Sequence, residues 1–459
     1  MNQRHSSPSG APRSAVLLLV AGLLMALLPR WLAPERLHRP DSTTALLRFE
    51  LAVIVLGAIL AALGLGVLRQ KRWRLAVVLA LALVCIGGYR VYFARAYPRN
   101  VVLDPGGLLQ TWHVLTGQDL ALDAYDPRPM LNLESHEPIR ARFPAFNVHS
   151  HFGKLAITPA ELFAILDSCG VSKVVNLDGS NEDEIRRFAV DFQGRVIVFR
   201  HLWFPVGTIK DTYFDTTLAR LERAVPAGAR GVKIWKNLGL HTRDASGKLV
   251  PIDDPRMDRI YQRAGELHIP VMMHVGDPFA FFQPFDGQNE RYEQLRGGFA
   301  WSIEGQHDID PDAPSQQELV AEFGRAVGKH PGTTFIGAHM LFMSDDLAAL
   351  GALLDQHPNL YLDMSADVPE LGRRPYSARA FFIKYQDRIL FATDAHHKYI
   401  GTRNYRAYFR FLETWDEYFD YPFRELRDGG RWKIYGLGLP DSVLKKIYTT
   451  NPPKVIDLR

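Results

Sequence analysis

From about residue 143 onward the sequence alternates between short β-rich apolar segments and longer amphipathic stretches, and it does so eight times. That alternation marks a parallel α/β fold, because each parallel strand is reached through a crossover, usually a helix. The strand candidates are Ala145–His149, Lys173–Leu177, Arg195–His201, Arg230–Trp235, Pro270–His274, Thr334–His339, Asn359–Asp363 and Arg388–Thr393. Helical spacing of apolar residues falls between them, for example over Pro159–Asp167, Asp215–Arg223, Met257–Leu267 and Gln317–Val327. About 320 residues suit a (β/α)8 TIM barrel with one long insertion. A doubly wound open sheet is the competing architecture. It calls for a Gly-rich phosphate turn after the first strand, and His149-Ser150-His151-Phe152-Gly153 is not one.

The first hundred residues read differently. They hold 13 basic and 3 acidic residues, whereas the rest of the chain holds 41 basic and 47 acidic ones. A basic, apolar head on a mildly acidic body argues against nucleic-acid binding and for a membrane. Three uncharged runs, Ser14–Leu28, Leu51–Leu68 and Leu75–Tyr89, lack a polar face at helical spacing. The second reaches the length of a span, and the first and third approach it. Residues 1–100 are therefore expected to form a membrane anchor of two or three helices in the lipid bilayer. Four positive charges in Arg69-Gln70-Lys71-Arg72-Trp73-Arg74 are expected to keep that loop in the cytoplasm and the body on the extracytoplasmic side, while Arg30, Arg36, Arg39 and Arg48 in the first loop argue for the opposite orientation. Residues 101–142, rich in Pro and Asp, read as a connector packing on the barrel, residues 143–459. Two cysteines, Cys85 and Cys169, exclude a disulfide framework and a cysteine-rich zinc site.

In a barrel of this kind, catalytic side chains sit at the carboxyl ends of the strands. His149 and His151 end strand one, His274 strand five and His339 strand six, and Asp394 follows strand eight. Residues i and i+2 share a strand face, so His149 and His151 point together into the mouth. With His274 and Asp394 they could surround one divalent ion, with Zn²⁺ the expected one.

These segments also carry a resemblance. Phe146-Asn147-Val148-His149-Ser150-His151-Phe152-Gly153 resembles the opening H-x-H strand of the amidohydrolase superfamily. Pro270–His274, Phe335–His339 and Ile389–Asp394 resemble its fifth, sixth and eighth strand signatures, and Gly438–Pro440 with Asn451–Pro453 the tail of its amidohydrolase-related group. That group also contains aminocarboxymuconate-semialdehyde and resorcylate-type decarboxylases. The resemblance spans roughly residues 130–459 and implies that His149, His151, His274 and Asp394 bind the metal. It also implies that His339 orients a water, or binds a second ion. Lys233 falls where some members carry a carbamylated lysine, and Lys236 is a rival for substrate contact. Asn147 stands where the family usually shows Asp.

The implied function is a membrane-anchored, metal-dependent hydrolase that turns a metal-activated water on a small ester, lactone or amide. Asp394 would act as general base and then acid. A metal-dependent decarboxylase of a small aromatic or unsaturated acid is the alternative. A barrel that only binds is disfavoured by its complete ligand set. Substrate choice is expected to lie in a long insertion at about 276–330, a lid that brings Arg291, Trp301 and Glu304.

Overall fold

A computed structural model describes residues 129–152, 157–296, 312–396, 400–422 and 430–458. The three apolar runs, most of the connector, Trp301 and Glu304 lie outside the described residues. Among the described residues no helix is long and apolar enough to cross a membrane. The chain divides into Met1–Met130 and Leu131–Arg459, and the description below concerns the second unit.

Its strands are Ala145–His151, Val171–Gly179, Val196–Leu202, Val232–Ile234, Val271–Met273, Phe335–Gly337 and Leu360–Asp363, followed by an eighth in two pieces, Ile389–Leu390 and Ala395–His396. The first seven pair in parallel in sequence order. The two pieces of strand eight serve different neighbours: the first pairs with strand seven, the second with strand one. Between them Val148 N–H donates to the Phe391 carbonyl at 2.9 Å, and Asp394 N–H to the His149 carbonyl at 3.0 Å. The sheet is thereby closed into a (β/α)8 barrel.

The helices form the outer ring, and their ends follow capping chemistry. Pro159–Cys169 starts at a reciprocal Thr158/Glu161 capping box and stops at Gly170, whose φ of 70° is left-handed. Gln316–Lys329 starts at a Ser315/Glu318 box and buries Leu319, Phe323 and Val327. That helix is a member of the ring, so the insertion expected at about 276–330 stops before it, near residue 315. Two cores result. Phe146, Val148, Val175, Leu177, Phe199, Met272, Ile336, Leu390 and Ala392 fill the barrel interior. A larger cluster lies between strands and helices.

The last residues before strand one run as irregular chain. His136 meets Asp416 at 2.7 Å and Arg142 meets Asp441 at 2.8 Å, which fastens this stretch across the carboxyl-terminal part of the same unit.

Candidate metal centre

Phe146 and Val148 face the barrel interior, so unbroken alternation would turn His149 and His151 outward. A bulge reverses this. Asn147 pairs with Val174 and Ser150 with Asn176, so strand one spends three steps where strand two spends two. Strand two repeats the device: Asn176 to Gly179 spans three steps against two from Val198 to Arg200. Asp178 thereby joins the inner face. Asn147 pins the first bulge. Its Nδ2 donates to Ser150 Oγ and Thr393 Oγ1, both at 2.9 Å. Its Oδ1 accepts from the His149 and Thr393 amides at 3.2 and 3.1 Å.

The geometry at the mouth is convergent. Nε2 of His149 and Nε2 of His151 each lie 3.3 Å from Asp394 Oδ1. Ligands about 2.0–2.1 Å from a tetrahedral ion stand about 3.3–3.4 Å apart, so the spacing fits such an ion. Behind each ring stands a carboxylate, Asp363 Oδ2 at 2.8 Å from His149 Nδ1 and Asp178 Oδ1 at 2.6 Å from His151 Nδ1. An acceptor-only partner puts the proton on Nδ1 and leaves Nε2 with its lone pair. His274 is buried with neither ring nitrogen hydrogen-bonded. Two orphan nitrogens in a buried ring cost about 1–3 kcal/mol each, and a bound cation removes one. A divalent ion therefore fits His149, His151 and Asp394, whose ligand atoms converge, while His274, its ring 4.6 Å from that of His339, stands outside that group. A second convergent group, His149, His339 and Asp363, fits less well. Asp363 is already saturated: beyond His149 it accepts from the His339 amide at 3.1 Å, the Ser365 amide at 2.9 Å and Ser365 Oγ at 2.5 Å.

The electrostatics agree with a cation site. Burial raises the carboxyl of Asp394, yet His149 and His151 outweigh it and hold it far below the ordinary range. Asp363 is held down likewise, chiefly by His149. Burial lowers His149, His274 and, to about 3, His339, which keeps their lone pairs free. His151 is the exception. Burial opposes its charge, but Asp178 and Asp394 raise it to about 9, so without an ion a proton sits where a cation would. Burial brings Lys233 down to about 8, and its Nζ lies 3.5 Å from His149 Nε2.

His339 stands in a strained turn. Strand six ends at Gly337, and His339, Met340, Leu341 and Phe342 then have φ of 57°, 52°, 57° and 50°. Each such residue costs on the order of 1 kcal/mol. The turn sets His339 Nδ1 at 3.0 Å from the Ser365 carbonyl and stacks the ring on Phe342. A Cβ on Gly337 would stand 2.6 Å from Leu341 Cδ2. Gly337→Ala should therefore lower stability by about 1–3 kcal/mol in urea unfolding, by displacing this turn.

The amidohydrolase family model matches residues 140–458. The chain belongs to the amidohydrolase family. No curated protein matches it. Among solved structures it is similar to an uncharacterised TIM-barrel protein from Bordetella bronchiseptica, at 13% identity over 68% of this chain and 98% of that one, TM-score 0.41. It is also similar to 4-oxalomesaconate hydratase from Rhodopseudomonas palustris, at 14% identity over 68% and 96%, TM-score 0.42. IDCase from Metarhizium anisopliae gives 14% over 66% and 79%, TM-score 0.36. Likenesses at this level add nothing to the assignment, which rests on the family match and the closed barrel.

Two other expected site residues of this amidohydrolase, Lys236 and Arg291, lie apart from the centre. Lys236 Nζ is 2.6 Å from both carboxylate oxygens of Asp277, in a buried pair. Arg291 is buried against Glu370, and Arg373 reaches Glu290 at 2.6 Å and Glu370 at 2.9 Å. Arg431 binds Glu293, while the Arg373 guanidinium lies 4.1 Å from the Trp432 ring centroid. The insertion after strand five is thus clasped to the loops after strands seven and eight, and Arg291 serves that clasp. Asp178, Asp363 and Ser365 were not anticipated. The two acids obey the strand-end rule that singled out the histidines, so that rule applied to carboxylates would have found them.

Asp367, buried beside this clasp, accepts from Ser344 Oγ, yet burial raises its carboxyl to about 7. The folded chain thus keeps a proton that the unfolded chain has lost between about pH 4 and 7, so this residue lowers stability as pH rises through that window. Asp367→Asn should raise the melting temperature at pH 8, by roughly 2 kcal/mol equivalent, and leave it nearly unchanged at pH 4.

Proposed function

We propose that the barrel is a metal-dependent hydrolase acting on a small, uncharged ester, lactone or amide. The carrying observation is the charge balance of the centre. Three carboxylates, Asp178, Asp363 and Asp394, face Lys233 and the two charges of a divalent ion, and these sum to zero. Lys236, Arg291, Arg373 and Arg431 are each already matched by a carboxylate. Among the described residues of the centre, a substrate carboxylate would find no unmatched positive charge, and burying it there would be costly. A neutral carbonyl needs none, which favours hydrolysis over the decarboxylase alternative.

His149, His151, His274 and Asp394 would hold the ion. Such an ion supplies a Lewis acid for the carbonyl and lowers the pKa of water. Asp394, ionised and half-buried, takes the proton from the attacking water and delivers it to the leaving group. His339 donates through Nδ1 to the Ser365 carbonyl, so its Nε2 carries a lone pair that orients the water by accepting from it. The same tautomer excludes His339 as an oxyanion donor. Asp178 and Asp363 hold the two histidines in register. Asp178→Asn should weaken metal affinity about 10- to 100-fold, measured by competition with a chromogenic chelator.

The full-length chain assayed on lactones and p-nitrophenyl esters should show turnover that 1,10-phenanthroline abolishes and Zn²⁺ restores. Release of carbon dioxide from hydroxybenzoates, without ester or lactone turnover, would establish the decarboxylase instead. The reading includes a bilayer address, supported by the three apolar runs, with the barrel on the extracytoplasmic side. A reporter fused after residue 100 tests it: activity of a cytoplasm-only reporter would overturn that sidedness.

A further inference from the structure

Some buried side-chain nitrogens have no hydrogen-bond partner among the described residues, and two of the residues concerned lie on the inner face of the barrel: His274 and His201. The candidate ion accounts for His274. Nothing yet described accounts for His201 Nε2.

His201 follows Ile197 and Phe199 by alternation on strand three, and both of those fill the interior. Its Cα partner in the ladder is Lys233, whose amine reaches His149. Directly paired residues of neighbouring strands turn to the same side of a sheet, so His201 flanks the metal centre on the side of strands two to four. The ring is half-buried and lies 5.4 Å from that of Trp203, which is exposed on the loop beyond. The nitrogen is therefore withdrawn from solvent on the inner face at the carboxyl end of strand three, where a molecule held at the centre can supply its partner.

We infer that His201 is a specificity-determining residue of this centre, its Nε2 hydrogen-bonding a hydroxyl or second carbonyl on an uncharged substrate. The inference rests on the hydrolase reading for the neutrality of that substrate, since the described residues of the centre have no charge to spare. A site that keeps a polar atom unmet discriminates strongly against an analogue lacking the matching group. The substrate class is thereby narrowed to hydroxylated or oxo-substituted lactones, esters or amides.

Lactams test this without turnover. Zn²⁺-loaded full-length chain would be titrated calorimetrically with 2-pyrrolidinone and with 3-hydroxy-2-pyrrolidinone, beside His201→Phe and His201→Gln. Zinc content and melting temperature are followed for all three proteins. The parent chain should bind the hydroxylated lactam about 10-fold or more tightly than the plain one. His201→Phe should erase that preference at unchanged zinc content, and His201→Gln should keep part of it. Equal affinities in the parent chain, or no binding of either lactam, overturns the inference. So does a preference that survives in His201→Phe. Should His201→Phe not fold, a reduced preference in a folded His201→Gln supports the inference, and an undiminished preference there overturns it. The corresponding lactones are assayed for hydrolysis in parallel. A lactam preference without lactone hydrolysis sinks the hydrolase reading while leaving His201 as the residue that reads the ligand.

Discussion

The full-length chain, purified without chelator, should carry about one divalent ion per chain by elemental mass spectrometry, and His149→Ala should carry none. This side chain is central to the arrangement. Its Nε2 faces Asp394 and Lys233, and its Nδ1 faces Asp363 and Ser365 Oγ. Loss of the ring removes one ligand and leaves a fully buried gap between three charged groups. Hydrolytic kcat/KM should fall by about 10³ or more, since the ion supplies several kcal/mol to the barrier. Asp394→Asn should separate the roles: it weakens the ion less than His149→Ala and still depresses kcat, because an amide cannot take a proton. About two ions per chain would instead bring His339 and Lys233 into the ligand set. A folded chain that takes up no Zn²⁺, Mn²⁺ or Fe²⁺ would remove the metal-enzyme reading.

Asp363→Ala should be the most destabilising single change at the centre, by about 3–5 kcal/mol. The carboxylate is fully buried and ties three elements together: the imidazole of strand one, the amide that opens the strained turn after strand six, and the Ser365 amide and hydroxyl after strand seven. Truncation removes the acceptor of both amides and of the Ser365 hydroxyl, and leaves His149 Nδ1 with Ser365 Oγ alone. Urea unfolding measures the loss. Asp363→Asn should recover most of the stability but little of the metal affinity, because the neutral amide no longer makes His149 a stronger ligand. A loss under 1 kcal/mol in the alanine variant would show that these groups find other partners.

The eightfold alternation was legible because strand and helix periods differ, and the first seven strands fall where the apolar segments are, whereas the half of strand eight that closes on strand one, Ala395–His396, lies past the expected Arg388–Thr393. Strands four, five and six are shorter than their apolar runs. Strand six stops at Gly337 because four left-handed residues follow, and no propensity announces a left-handed His-Met-Leu-Phe. The histidines were legible through their strand-end positions. That they face inward was not, since it depends on a bulge, and a bulge is a count of residues across two strands that one strand alone cannot display. Asn147, notable in the sequence only as a departure from the family's Asp, proves to be the side chain that fixes this bulge. The insertion after strand five was visible by length, but its charged residues were ambiguous because their partners, Glu370 for Arg291, Arg373 for Glu290 and Arg431 for Glu293, lie about 80 to 140 positions further along the chain.

The divided eighth strand has a consequence for how the molecule breathes. Its halves belong to opposite neighbours, so the only seam in the described wall runs between Leu390 and Ala395, with Asp394 inside it. The amides of Val148 and Asp394 are the stitches across that seam. Their exchange with deuterated water therefore reports local opening at the centre, apart from global unfolding. A cation spanning His149, His151 and Asp394 would lace strand one to strand eight, and should slow those two amides more than any in strands three to five.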